Sequence, residues 1–126
     1  MSNTYQIYLI SDSTGETLDR IFTAIKAQFK NINYKIHTYS FTRTENQILK
    51  ILSDAEKYSD SIILYSIVDS NLAKHLANNS DIKNIPCFGV LGDLILRFSK
   101  LLNQKASHQP SGQYALNEEY YKRIAA

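Results

Sequence analysis

The stretch Leu9-Ile10-Ser11-Asp12-Ser13-Thr14-Gly15-Glu16-Thr17 constrains the fold of this chain more than any other. An apolar run, Ile7 to Ile10, passes directly into a short polar segment and then into an amphipathic one. Ser13 stands three residues before Glu16, the spacing of a capping box, which predicts that a helix opens here. Leu18, Ile21, Phe22, Ile25 and Phe29 then recur at i, i+3, i+4, i+7 and i+11, a single apolar stripe of helical period. A strand, a polar turn with one glycine, and a helix form the first half of a βαβ unit. In such units the turn lies at the carboxyl end of the strand, where open parallel sheets bind ligands. Backbone N–H groups and the helix dipole favour an anion there, with Ser11, Ser13, Thr14 and Thr17 as further donors. The plainer reading is that Ser13 and Glu16 only cap the helix and Gly15 eases the turn.

The rest of the chain alternates in the same way. Residues 34–41 are rich in β-branched and aromatic side chains and read as a strand. Thr44-Glu45-Asn46-Gln47 repeats the capping-box form, and Ile48, Ile51, Leu52 and Ala55 continue it as a helix to about Tyr58. Residues 61–68, almost continuously apolar between Asp60 and Asp69, have the pattern of a central parallel strand covered on both faces. Leu72, Ala73, Leu76 and Ala77 suggest a third helix, capped by Asp69 or Ser70 and ended by Asn78-Asn79-Ser80-Asp81. Residues 86–90 read as a short strand with Pro86 at its first position. Leu91, Leu94, Ile95, Phe98, Leu101 and Leu102 form the stripe of a fourth helix reaching about Asn103. Residues 104–113, with Pro110 and Gly112, read as a loop, and 116–126 as a last helix with Asn117 as its N-cap. The expected architecture is α/β: an open parallel sheet of about four strands flanked by helices, flavodoxin-like or Rossmann-like, in the order 2-1-3-4. The last helix meets no stop signal, so the chain is expected to be an N-terminal piece of something longer. The expected division is an α/β domain over 1–104, then a loop and the start of a helix over 105–126.

Composition excludes several functions. The 126 residues fit one domain, and 44% hydrophobic with 21% charged content is that of a globular chain. A net charge of +2 with scattered basic residues gives no nucleic-acid-binding surface. No apolar run approaches a membrane span, the first residues lack a signal-peptide pattern, and the single Cys87 cannot form an internal disulfide. A cytoplasmic location is the expectation.

His37, His75, His108 and Cys87 show no metal-ligand spacing, so no metal is expected. His75 is expected at the surface, and Cys87 as a small buried hydrophobe in a strand. The four glycines build neither a Walker loop nor a dinucleotide fingerprint. Three segments remain at strand C-termini: residues 11–17, Thr42-Arg43-Thr44, and residues 66–70. Brought to one sheet edge, Arg43 would neutralise an anion held at the first helix, and Asp12 or Asp69 would serve as a base or hold a nucleotide-bound metal. The competing reading of each is solvated loop charge and helix capping.

Two stretches resemble one family, the bacterial pyruvate, phosphate dikinase and phosphoenolpyruvate synthase regulatory proteins. Ile10-Ser11-Asp12-Ser13-Thr14-Gly15-Glu16-Thr17-Leu18 is similar to the family's opening Ser-Asp-x-Thr-Gly-x-Thr signature. Pro110-Ser111-Gly112-Gln113-Tyr114-Ala115-Leu116-Asn117-Glu118-Glu119-Tyr120-Tyr121-Lys122-Arg123-Ile124 resembles its Pro-Gly…Leu-Asp-Glu-Glu-Tyr-Phe-Arg-Arg-Ile segment, with Ser111 extra and Asn117 in place of Asp. The resemblance implies a bifunctional enzyme that phosphorylates a threonine of the dikinase or synthase with ADP as donor. It also implies removal of that phosphate by inorganic phosphate, releasing pyrophosphate. The family's nucleotide-binding Gly-x-Ser-Arg-x-x-Lys-Thr-Pro loop follows the second motif and does not occur in this chain. The chain alone is therefore expected to be inactive or nearly so, with no tightly bound cofactor, and with the dikinase or synthase and inorganic phosphate as partners. A homodimer is compatible with this reading. The alternative is a non-enzymatic flavodoxin-like module that binds an anion or a protein.

Overall fold

The computed structural model describes residues 4–107. The elements are β1 (Thr4–Ser11), α1 (Glu16–Lys26), β2 (Asn33–Tyr39), α2 (Glu45–Ala55), β3 (Ser61–Ser66), α3 (Ser70–Ile82), β4 (Cys87–Gly89) and α4 (Gly92–Leu102). They build a 4-stranded sheet in the order β2-β1-β3-β4, the expected one. All pairings are parallel, with Ile7 opposite both Ile36 and Ile62. His108, the loop around Pro110 and Gly112, and the final helix with its Asn117 cap lie outside the described residues.

β1 is central, and its side chains alternate between two cores, as a strand covered on both faces requires. Tyr8 and Ile10 point to the layer of α2 and α3 and pack with Ile48, Ile51, Leu52, Ala55, Leu72 and Leu76. Ile7 and Leu9 point to the opposite face, where Leu18 and Phe22 of α1 meet Leu64. Tyr8 is fully buried, stacks on His37 with ring centroids 4.4 Å apart, and donates its hydroxyl to Asp54 Oδ2 at 2.7 Å. The ring supplies apolar area while the hydroxyl reaches a half-exposed acid at the rim.

The helix starts divide the two capping-box expectations. At α2 the box forms: Thr44 Oγ1 accepts from the Gln47 amide and the Gln47 side chain accepts from the Thr44 amide. At α1 it does not. The N-cap is Gly15, in the left-handed region at φ 89, and it is Thr14 Oγ1, not Ser13, that accepts from the Glu16 amide, at 3.5 Å. Ser13 is occupied elsewhere, its amide donating to Ser11 Oγ and its carbonyl accepting from the Phe41 amide. Phe29, counted in the first stripe, lies beyond the end of α1 and is exposed.

Two helix ends also differ from expectation. α2 stops at Ala55 rather than Tyr58. α3 runs through Asn78-Asn79-Ser80-Asp81 to Ile82. The breaker residues are tolerated because two of them bond back to the preceding turn: Asn79 Nδ2 donates to the His75 carbonyl and Ser80 Oγ to that of Leu76. The stop comes at Asn84, which takes φ 56, after which Ile85 donates to the Ser80 carbonyl. Asp69, not Ser70, caps α3. β4 is shorter than expected, and Pro86 precedes it, giving its carbonyl to the Ile63 amide. Cys87 is only part-buried. α4 forms over the expected stripe yet buries none of its residues.

Candidate functional site

In a sheet ordered 2-1-3-4 the chain leaves β1 and β3 in opposite directions, and the crevice outside their carboxyl ends is the ligand position of such folds. Here residues 11–15, 40–44 and 66–70 meet at that position. The β1 exit is tied to both neighbours: Thr42 donates to the Ser11 carbonyl at 2.8 Å, Phe41 to that of Ser13 at 2.9 Å, and Asp12 to that of Ser66 at 3.2 Å. Ser40 Oγ adds a bond to the Thr14 carbonyl at 2.8 Å.

Asp12 is the hub of the crevice. Its side chain is buried, and Oδ2 accepts from the Val68 amide at 2.8 Å, joining the β1 exit to the loop that precedes α3. Its carbonyl accepts from Arg43 Nε at 3.0 Å. Burial raises the Asp12 carboxyl above the ordinary carboxylate range. The Val68 amide and the Arg43 charge oppose that rise, and the nearby Asp69 adds to it. Asp69 is committed to α3, its Oδ1 accepting from the amides of Asn71 and Leu72. Arg43 is exposed and lies over the Phe41 ring, 5.5 Å from the centroid.

The remaining expected donors separate into two groups. Ser11 and Ser13 are buried, with hydroxyls 3.3 Å apart and turned toward each other. Thr14 and Thr17 are exposed at the start of α1, beside Glu16. The open part of the site is thus the first turn of α1 with Thr14, Thr17 and Arg43. Gly15 permits this geometry: a Cβ there would meet Ser40 Oγ at 3.5 Å, an ordinary contact, so only its φ of +89 demands glycine. Gly15→Ala is expected to cost about 1 kcal/mol in unfolding free energy. Chemical denaturation of the two proteins measures it.

Three contributors escaped the sequence reading. Val68 acts through its backbone amide, which no motif records. Phe41 takes φ 53, a conformation for which its residue type gives no signal. Beside the crevice, a depression of about 330 Å³ is lined by Ser40, Thr42, Gln47, Lys50 and Asp54, bringing a second cation near the sheet edge. Among the described residues no group of three or more His, Cys, Asp or Glu is arranged to hold a metal. His37 Nε2 bonds Gln6 Oε1 at 2.7 Å. His75 is not at the surface but part-buried, with Nε2 3.9 Å from Glu45 Oε2 and no partner for Nδ1 among the described residues. No described helix is long and apolar enough to cross a membrane.

The kinase/pyrophosphorylase family model matches residues 7–126. A protein of Pelagibacter ubique, provisionally named a pyruvate, phosphate dikinase regulatory protein, is 73% identical over 126 residues, all of this chain and 46% of its own length. Proteins with the same name from Geotalea daltonii and Rhodopseudomonas palustris are 37% and 31% identical over 96% and 97% of the chain. The chain spans less than half the length of these relatives. A match over nearly every residue, including the β1 exit that shapes the crevice, places the chain in the kinase/pyrophosphorylase family.

Proposed function

We propose that this chain is the N-terminal part of a bifunctional enzyme acting on a threonine of pyruvate, phosphate dikinase. The relatives' names favour the dikinase over phosphoenolpyruvate synthase as target. In one direction the threonine hydroxyl attacks the terminal phosphorus of ADP, AMP leaves, and the hydroxyl proton passes to a base. In the other, inorganic phosphate attacks the phosphothreonine, the phosphorus–oxygen bond to threonine breaks, and pyrophosphate forms. Both directions place phosphoryl oxygens beside the target threonine. The phosphate-cradling loop is not in this chain, so its share of the work is to hold an anion and the target segment.

The observation that carries the reading is the convergence of three loops at the β1–β3 switch point, with Arg43 bonded to the Asp12 carbonyl in the segment that leads into α1. The α1 dipole, the Thr14 and Thr17 hydroxyls and the Arg43 guanidinium would together hold phosphate oxygens. Of the two candidate bases Asp12 is the stronger, because burial raises its proton affinity while Asp69 is spent on capping. Titrating inorganic phosphate into the ¹⁵N-labelled chain at constant ionic strength is expected to shift the amides of residues 13–18. Arg43→Ala is expected to weaken that binding about tenfold, the loss of one charge-assisted contact. Unmoved amides in this segment would remove the anion from the site.

A further inference from the structure

Gln47, in the first turn of α2, belongs to none of the segments that meet at the crevice, yet its side chain holds the one that carries Arg43. Its Oε1 accepts from the Arg43 amide at 2.7 Å, from the Thr44 amide at 3.0 Å and from the Thr44 hydroxyl at 3.2 Å. Its Nε2 donates to the Phe41 carbonyl at 3.4 Å. A capping box needs only the exchange between Thr44 and Gln47. The bonds to Arg43 and Phe41 are additional, and both fall on residues that present the guanidinium.

Phe41 is the strained member of this segment. It takes φ 53, a conformation that a bulky residue keeps only when its surroundings fix it. They do so from both sides: its amide donates to the Ser13 carbonyl at 2.9 Å, and its carbonyl accepts from Gln47. Its ring lies under the Arg43 guanidinium, 5.5 Å from the centroid. Arg43 Nε in turn donates to the Asp12 carbonyl at 3.0 Å, a bond that crosses from the β2 exit to the β1 exit. Ordering a long arginine side chain costs conformational entropy, and a backbone already fixed lowers that cost when a ligand arrives.

We infer that Gln47 is a positioning residue for the anion site: it fixes the backbone of residues 41–44 and so holds the Arg43 guanidinium in place before an anion binds. The inference rests on the anion-holding role proposed for Arg43. Gln47 acts only through Arg43, so its effect on affinity cannot exceed that of removing the guanidinium itself.

Two measurements on the 126-residue chain test it through Gln47→Ala. The Thr44 hydroxyl still accepts from the backbone amide of residue 47 in this variant, and alanine favours helix, so α2 is expected to stay folded. Without phosphate, the Arg43 Nε–H is expected to exchange with water about threefold faster or more than in the wild type. With inorganic phosphate titrated at constant ionic strength, Gln47→Ala is expected to bind about threefold to tenfold more weakly, and to have no further effect in an Arg43→Ala background. Unaltered Nε–H exchange overturns the inference, as does a loss of affinity that is the same in both backgrounds. In either case a weakened Arg43→Ala would still keep the guanidinium as an anion ligand. Arg43→Ala binding phosphate as tightly as the wild type would overturn the role proposed for Arg43, and the inference with it.

Discussion

Replacing Asp12 with alanine is expected to lower the unfolding free energy by about 2–3 kcal/mol, while replacing it with asparagine costs nothing at neutral pH. The alanine variant removes the acceptor that the Val68 amide uses at 2.8 Å, at a position where the Asp12 side chain is buried. Asparagine keeps an oxygen there and removes the buried charge. The pH dependence separates the two contributions. Burial raises the Asp12 carboxyl in the folded protein, so the folded state binds its proton more tightly than the unfolded chain does. The corresponding stability is complete below the unfolded carboxylate range and is lost as pH rises through the raised folded value. Between those two values the wild type should lose stability relative to Asp12→Asn, with no further divergence above them. Urea unfolding of both proteins at several pH values from acid to neutral measures the difference. A wild type that instead gains on the asparagine variant as pH rises would mean that Arg43 and Val68 outweigh burial. The same variant bears on catalysis. On the proposed role of Asp12 as base, a full-length relative carrying the same change should keep phosphate bound yet lose transfer, because an amide cannot accept the threonine proton.

The difference between the two capping boxes shows what sequence alone conveyed. Thr44 and Gln47 obey the pattern because both ends of the motif face solvent, and the further bonds of the Gln47 side chain, to the Arg43 amide and the Phe41 carbonyl, leave the box intact. Ser13 has the same spacing, but its amide and carbonyl are claimed by Ser11 and Phe41. The second of these partners is brought near only by the pairing of β1 with β2. Local spacing describes a helix start correctly until tertiary hydrogen bonds take its atoms. The end of α3 follows the same logic, since Asn79 and Ser80 read as breakers and became tolerable by bonding one turn back. Strand order was legible because alternating elements with right-handed crossovers leave few arrangements. The convergence of Asp12 and Arg43 at one edge followed from that order. The Val68 amide could not be read, because a backbone donor leaves no trace in residue type. Helix α4 exposes a different limit: periodicity reveals which face is apolar, not whether the described fold covers it.

Leu52→Ala is expected to cost about 2–5 kcal/mol, against less than about 0.5 kcal/mol for Leu49→Ala on the same helix. The pair isolates burial from helix propensity, which the two substitutions change equally. Leu52 is 0% exposed, within the cluster of Tyr8, Ile48, Ile51 and Leu76, so truncation leaves a cavity that rigid neighbours on β1 and α3 cannot fill. Leu49 is 44% exposed and already hydrated. A small domain is stabilised by about 5–15 kcal/mol, so the first change removes a large share of the total. Urea midpoints with unchanged slopes would report both values as differences in stability alone. The consequence reaches the candidate site because Leu52 seats the helix whose first turn holds Arg43. The Gln47 side chain accepts from the Arg43 amide at 2.7 Å and from the Thr44 amide at 3.0 Å. Faster hydrogen exchange of those two amides in Leu52→Ala, with Leu49→Ala at the wild-type rate, would show that the core beneath α2 is what keeps Arg43 facing the crevice. Equal exchange in all three proteins would assign that task to the bond between Arg43 and Asp12 instead.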